Sequence, residues 1–427
     1  MPEIDKSALR AALLGFATIG VVGFSLQRYE LSTLAIELEA IRGWLGGDSL
    51  YAYRMPGTQA GAALSPALAL LLAPLTLLPL RLAGWLLALA GVTALLLALV
   101  VLAGPVARRY GHRRTTVVLA LSALAMLTTP VHAAIGLGRT DLLLFGLVVA
   151  DLIALRRAAR ARSRATWWPA PSHPTNRLRR FWSGGGWAGI GTGLATALSA
   201  APVLFIVYLL ITRQRRAAST ALATATAVTL SALLLAPDET LTWFGATLWE
   251  LDRAAPISDP GNQSLAGLLA RLYGYPAPPI LVWLPFAVLL LAVGLIRARS
   301  AHTDGDEIAA FTLIALTAAA AGPVTAPAET IWLLPAVLIL ADTAVRRRRD
   351  VRVPRVLRHT GAGMGVAALL GFVLLVAGPS VSQPWNGVAF VLILLVNALP
   401  WRHGCAPAIP IPRPLRRPVA IPVPREG

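Results

Sequence analysis

The sequence is poor in the residues that most soluble chemistry draws on. It has one cysteine, Cys405, so no disulfide or thiolate metal cluster forms within the chain. It has one lysine, Lys6, and only 20 acidic residues among 427. The histidines His112, His132, His173, His302, His359 and His403 are scattered without ligand spacing, so no metal and no cofactor are expected. Charged residues make up 14% of the chain, against about 25% in an ordinary globular domain. The net charge of +18 does not signal nucleic acid. A nucleic-acid reader sets its basic residues among polar and aromatic ones on a solvated face, and here arginines punctuate long apolar runs.

What fills the chain is apolar surface: 56% hydrophobic residues and a mean hydropathy of +0.67. No soluble protein of this length carries that composition, which makes this a membrane protein. Charge-free stretches, read against the roughly 20 residues needed to cross a bilayer, place spans at 11–27, 82–107, 115–131, 139–155, 184–212, 217–236, 276–296, 308–322, 330–345, 360–379 and 385–401. Arginine clusters at 108–114, 156–180, 213–216, 297–299, 346–358 and beyond 402 mark the cytoplasmic side. Alternation then holds everywhere except 184–212, which both starts and ends inside. That stretch must go out and return, and Pro202 near its middle supplies the break. Its glycines, Gly184, Gly185, Gly186, Gly189, Gly191 and Gly193, read as close helix packing.

The expected fold is an all-α polytopic membrane protein of about 12 transmembrane helices (roughly 10–12), without a large soluble domain. Both termini lie in the cytoplasm. The expected division is a core over 1–345, a C-terminal helix pair over 346–401 and a Pro/Arg-rich tail over 402–427. The tail and residues 156–182 are juxtamembrane basic stretches expected to contact anionic membrane lipid, with binding of a partner by the tail as the alternative. Two outer stretches are long enough to hold chemistry: 28–81 and 237–275. The first contains Leu34, Leu38, Ile41 and Leu45 at helical spacing, followed by a proline-broken apolar run over 55–80.

The motifs on that outer side fall in a recognisable order. They are Gly46-Gly47-Asp48-Ser49-Leu50-Tyr51, then Ala73-Pro74-Leu75 within the Pro66 to Pro79 stretch, then Gly138-Arg139-Thr140-Asp141. Ser199-Ala200-Ala201-Pro202, Asn262-Gln263-Ser264-Leu265 and the segment from Gly322 to Trp332 complete the series. In this order the chain resembles glycosyltransferase family 87, actinobacterial membrane mannosyltransferases of GT-C type. The resemblance implies a GT-C-like core in the bacterial plasma membrane. It also implies a polyprenyl-phosphate-linked sugar donor, transfer of mannose at the outer face, and a lipid-linked or cell-wall glycan acceptor.

Departures from the family pattern fall on its charged positions. The family's acidic residue falls on Thr33, the lysine of its hairpin on Ser199, the tyrosine of its Tyr-Pro-Pro element on Leu64, its glutamine on Arg139 and its two histidines on Ala328 and Glu329. Transfer from a sugar phosphate needs a carboxylate to take the proton of the attacking hydroxyl and donors to hold the departing phosphate. Thr33 cannot supply the base. Glu37, Glu39 and Asp48 are the candidate bases in the same loop, and Arg42, Arg139, Asp141, Ser199, Asn262, Gln263 and Glu329 are the candidate substrate-binding residues. Two readings stay open: an active hexosyltransferase with a displaced base, and an inactive relative that binds polyprenyl lipid or scaffolds envelope glycan synthesis. A transporter would need charge near the bilayer midplane, and Asp151 and Asp342 sit instead near arginine-rich helix ends.

Overall fold

The computed structural model describes residues 6–57, 60–110, 114–167, 176–349, 355–378 and 386–402. Trp168 and the Pro/Arg-rich tail from 403 lie outside the described residues. The chain is a helical membrane protein, and the one β contact among the described residues is an isolated bridge between Arg54 and Gly61. In order, the helices are α1 (Lys6–Tyr29), α2 (Ser32–Leu45), α3 (Pro66–Leu72), α4 (Leu80–Tyr110), α5 (Arg114–Met126), α6 (Thr129–Gly136), α7 (Asp141–Trp167), α8 (Arg177–Ser183) and α9 (Ile190–Leu198). They continue with α10 (Val203–Ile211), α11 (Arg215–Leu235), α12 (Pro237–Gly245), α13 (Leu265–Tyr273), α14 (Ile280–Thr303), α15 (Glu307–Ala321), α16 (Leu333–Arg349), α17 (Arg355–Ala377) and α18 (Gly387–Ala398).

Four of the described helices are long and apolar enough to cross a membrane: Leu80–Ala107, Arg215–Leu235, Ile280–Thr303 and Pro327–Arg348. A fifth span arises if α5 and α6, bent by 68° at Leu127–Thr128, are one broken crossing. Shorter apolar helices, α15 and α18 among them, pack between these. Helix α15 is apolar on all sides and buried on nearly all, which puts it at the centre of the bundle.

Side-chain contacts divide the bundle into two ends. At one, Asp342 accepts from Tyr110 at 3.0 Å, Arg346 at 3.0 Å and Arg402 at 2.9 Å, an arginine-rich end. At the other, α1 meets α6 through Ser25 and His132 at 2.7 Å, and Gln263 N donates to Thr325 O. The predicted hairpin at 184–212 has this geometry. Gly189 and Gly193 of the α9 start sit on the start of α11, where a Cβ on either would come within 2.4 Å of a carbonyl oxygen. Only glycine permits that approach. The start of α9 therefore lies at the arginine end, while its far end meets Ser65, whose hydroxyl donates to Ala197 O at 3.0 Å. Helix α10 then returns, and Tyr208 near its end donates to Glu307 at 3.1 Å. Asp151 of α7 explains the hairpin's foot: its carboxylate accepts from Gly191 N at 3.2 Å and Thr192 N at 2.6 Å, capping α9 from a neighbouring helix.

Helix α2 is the element that positions the site. Leu34, Leu38 and Ile41 form its buried stripe against Leu50, Leu64, Leu68, Leu72 and Leu87. Each such side chain contributes about 1.5–3 kcal/mol. Leu45, the last member of the sequence stripe, is instead 60% exposed, because the helix ends at Gly46 and the chain turns away before its packing partner is reached.

Candidate functional site

Helix α2 is aimed by the turn that precedes it and by the one it docks on. Glu30 and Leu31 both adopt left-handed backbone, φ 54° and 53°, which folds α1 back into α2. Left-handed backbone costs a non-glycine residue on the order of 1–2 kcal/mol. The cost is offset by burial of Leu31 and by two hydrogen bonds of 3.0 Å, Leu31 N to Gly136 O and Leu34 N to Leu137 O. These bonds seat the first turn of α2 on the turn between α6 and α7. At its centre Gly138 has φ +72°, and a Cβ there would lie 2.5 Å from that of Leu34. We expect Gly138→Ala to cost roughly 2–4 kcal/mol, summing left-handed strain and overpacking. Thermal unfolding of the detergent-purified protein checks this, and an unshifted midpoint would contradict it.

That docking brings four charged groups together. Arg139 donates from Nε to Asp141 at 2.7 Å and from one Nη to Glu329 at 2.7 Å. Asp141 is the first residue of α7, and Glu329 sits on the 3-10 turn Pro327–Trp332 ahead of α16. Glu37, one turn beyond Leu34 on α2, is the third carboxylate in the field of this one guanidinium. Burial pushes its carboxyl up to about 7; Arg139 pulls against that shift and Asp141 adds to it. Burial opposes charge on Arg139 as well, yet Asp141, Glu329 and Glu37 together hold it more firmly protonated than usual. The other Nη of Arg139 makes no hydrogen bond among the described residues, so one donor face stays available to an anion.

The remaining sequence candidates lie elsewhere. Glu39 is exposed and paired with Arg42, whose guanidinium also reaches Thr76 O at 3.3 Å and closes the 3-10 turn after α3. Asp48 is exposed beyond the end of α2. Thr33 is half-buried on the first turn of α2, four residues before Glu37 and therefore on the same face. Ser199 marks the hairpin break in extended backbone, with no hydrogen bond to the Arg139 cluster. Asn262 holds backbone with both ends of its amide: Nδ2 donates to Ile257 O at 2.9 Å and Pro323 O at 3.1 Å, and Oδ1 accepts from Ser264 N at 3.1 Å and Thr325 N at 2.9 Å. Gln263 donates to Pro260 O at 2.8 Å, while its buried Oε1 has no hydrogen-bond partner and lines a small crevice with Pro327, Thr330 and Leu375. Asn262 and Gln263 thus fasten the 237–264 stretch to the segment that carries Glu329.

Two residues that sequence reasoning passed over hold the loop after α2. Arg253, 4% exposed, donates to Ala62 O at 2.7 Å, to Tyr51 O and to Glu250 at 2.7 Å, and lies over the Tyr51 ring. Glu239, also buried, accepts from Leu50 N at 3.1 Å. The Ser49-Leu50-Tyr51 stretch is therefore stapled to the 237–253 stretch. Arg253 lies in a loop and leaves no periodic trace; the one signal for Glu239 was its place on α12 opposite Leu241 and Phe244.

Residues 65–327 match glycosyltransferase family 87. The match includes Arg139, Asp141, Ser199, Asn262 and Gln263, and leaves out Thr33, Glu37, Glu39, Asp48 and Glu329. The chain is 28% identical over 219 residues to a polyprenol-phosphate-mannose-dependent alpha-(1-2)-phosphatidylinositol mannoside mannosyltransferase of Mycobacterium tuberculosis, which covers 51% of this chain and 45% of that protein. It is 27% identical over 334 residues to the protein of the same name from Mycolicibacterium smegmatis, 72% of this chain and 69% of the other. A pentamannoside mannosyltransferase of the latter organism is 23% identical over 360 residues, 82% of this chain and 78% of the other. Against the first of these the chain spans about half the relative's length. No solved structure matches.

Proposed function

This chain belongs to glycosyltransferase family 87, and on that premise we propose that it transfers mannose from polyprenyl-phosphate-mannose to a phosphatidylinositol mannoside or related glycolipid, with Glu37 as the base. The observation that carries the reading is the convergence of Glu37, Arg139, Asp141 and Glu329 at one end of the bundle. The donor and acceptor classes follow from the names of the relatives. In the proposed topology of about 12 crossings this end faces outward and the arginine-rich end faces the cytoplasm. The Pro/Arg tail then continues on the cytoplasmic side.

In the transfer, Glu37 accepts the proton of the acceptor hydroxyl as its oxygen bonds to C1 of the mannose. The bond from C1 to the phosphate oxygen breaks, and polyprenyl phosphate leaves with the electron pair. The free Nη of Arg139 faces the charge that develops on that phosphate. A base is most effective when its pKa lies near the working pH, and burial has moved Glu37 there. Glu37 takes the place of the acid absent at Thr33 one helical turn earlier on the same face.

The test is transfer of labelled mannose from polyprenyl-phosphate-mannose into lipid by membranes that contain the protein. Because Glu39 and Asp48 are exposed and outside the cluster, Glu39→Gln and Asp48→Asn are each expected to leave the rate within a few-fold of the parent. A loss comparable to that of Glu37→Gln in either would move the base to that residue. Absence of transfer across donors and acceptors would favour the inactive, lipid-binding reading. Gain of transfer on introducing Thr33→Asp with Ser199→Lys would favour it further.

A further inference from the structure

We infer that the segment from Pro237 to Leu251, which follows α11, is seated in the lipid surface at the site end, so that its apolar side meets the bilayer rather than water or a second protein. Helix α12, which opens it, is inside out. Its inward face carries Glu239, Thr240 and Trp243: Glu239 accepts from Leu50 N, Thr240 is buried, and Trp243 stacks on Tyr51 with ring centroids 6.0 Å apart. Its outward face carries Leu241, 66% exposed, and Phe244 one turn on, followed by Trp249, 70% exposed, and Leu251. A water-facing helix shows the reverse arrangement, with its polar residues outward.

The exposed apolar residues lie at the same end of the bundle as those of two spans, α11, on which α12 packs, and α14. At the end of α11, Leu230, Leu234 and Leu235 are exposed, as are Ile280, Leu281 and Leu284 at the start of α14. Both helices are long and apolar enough to cross a membrane and bury little of themselves in the protein, so their exposed sides face lipid. The α12 face continues that lipid-facing band past the end of α11. The Trp249 indole N–H donates to Phe244 O at 2.9 Å, so the ring enters an apolar phase without stranding a donor. Of the segment's charges, Glu239 is turned inward, Asp238 stands in the first turn of α12, and Glu250, paired with Arg253, lies near the other end. No arginine or lysine lies between Pro237 and Leu251, so apolar insertion, rather than attraction to anionic headgroups, does the seating.

The consequence is positional. Glu239 and Arg253 bracket this segment and hold the Ser49–Tyr51 loop, so the depth at which Leu241, Phe244 and Trp249 sit in lipid sets the height of that loop above the membrane. This inference stands whether or not the protein is catalytically active.

Spin labels decide it. In the full chain carrying Cys405→Ser, labels are placed through Leu241→Cys, Phe244→Cys, Trp249→Cys and, as a solvent control, Asp238→Cys. The protein is reconstituted in phosphatidylcholine vesicles, and power saturation is measured with oxygen and with a water-soluble nickel chelate. All four positions are exposed, so labels there are compatible with folding, and size-exclusion elution confirms it. At 241, 244 and 249 oxygen is expected to relax the label several-fold more than the chelate, and the order reverses at 238. Chelate access at the three apolar positions equal to that at 238 would place the segment in water. Exclusion of both reagents would mean that a protein, such as a second copy, covers it. Either result overturns the inference.

Discussion

Glu37→Gln is expected to lower the proposed mannose transfer by roughly 10²–10⁴-fold, the usual contribution of a positioned proton acceptor. The amide matches the carboxyl in size but takes no proton, so the loss belongs to the chemistry and not to packing. In the parent, kcat/KM for that transfer is expected to rise with pH and level off above about 7, the value to which burial raises the Glu37 carboxyl, and the Gln variant is expected to lose that limb. Stability moves the other way. A carboxyl raised from 4.5 to about 7 makes the folded state hold its proton longer than the unfolded chain does. Its stabilising contribution is therefore complete below about 4.5 and is lost as pH climbs toward 7. Gln carries no charge to bury, so at pH 8 the variant melts no lower than the parent. A variant that lost activity together with folding at pH 8 would reduce Glu37 to a structural residue. Glu37→Asp, with its shorter reach, recovers part of the rate.

Arg253→Met is expected to cost about 2–6 kcal/mol, chiefly from two buried carbonyls left without a donor, because its ionic partner Glu250 is solvent-exposed. The substitution keeps the stem volume but strands the carbonyls of Tyr51 and Ala62, each worth about 1–3 kcal/mol when left unpaired in the interior. It also removes the cation from the face of Tyr51. We expect the thermal midpoint in detergent to fall by roughly 5 °C or more. Arg253→Lys recovers little, because an ammonium cannot address three acceptors held in the plane of a guanidinium. The proposed mannose transfer is expected to fall with it, as the loop that follows α2 comes loose. An unchanged midpoint in Arg253→Met would show that the two stretches hold together without the staple.

Much of the architecture was legible in composition and spacing. Charge-free runs located the apolar helices, four of which are long enough to cross a membrane, and the break at Pro202 separates α9 from α10 within 184–212. Its glycines were read as packing residues, and Gly189 and Gly193 lie against the backbone of α11. The ends of helices were less legible. Leu45 continued the apolar period of α2, yet a period says nothing about where the partner surface stops. Within the candidate site, Arg139 and Asp141 lie two residues apart in the sequence, and the fold pairs them at 2.7 Å. Glu329 lies 190 residues away and joins them only because the 3-10 turn before α16 packs on the α6–α7 turn.

Composition and charge order settled that the chain is a helical membrane protein with an arginine-rich end opposite a more acidic one, since both follow from one-dimensional quantities: hydropathy over some 20 residues and the sign of each loop. The differences among the three candidate carboxylates of one loop exist only in the folded chain. Glu37, Glu39 and Asp48 are alike in sequence, and they differ in what surrounds them. Burial beside Arg139 raises Glu37, while Glu39 and Asp48 remain in solvent. The same holds for Glu239 and Arg253, which composition counts as two ordinary charges. Desolvation depends on every atom packed nearby, and that packing exists only once α2, the α6–α7 turn and the 237–253 stretch have come together.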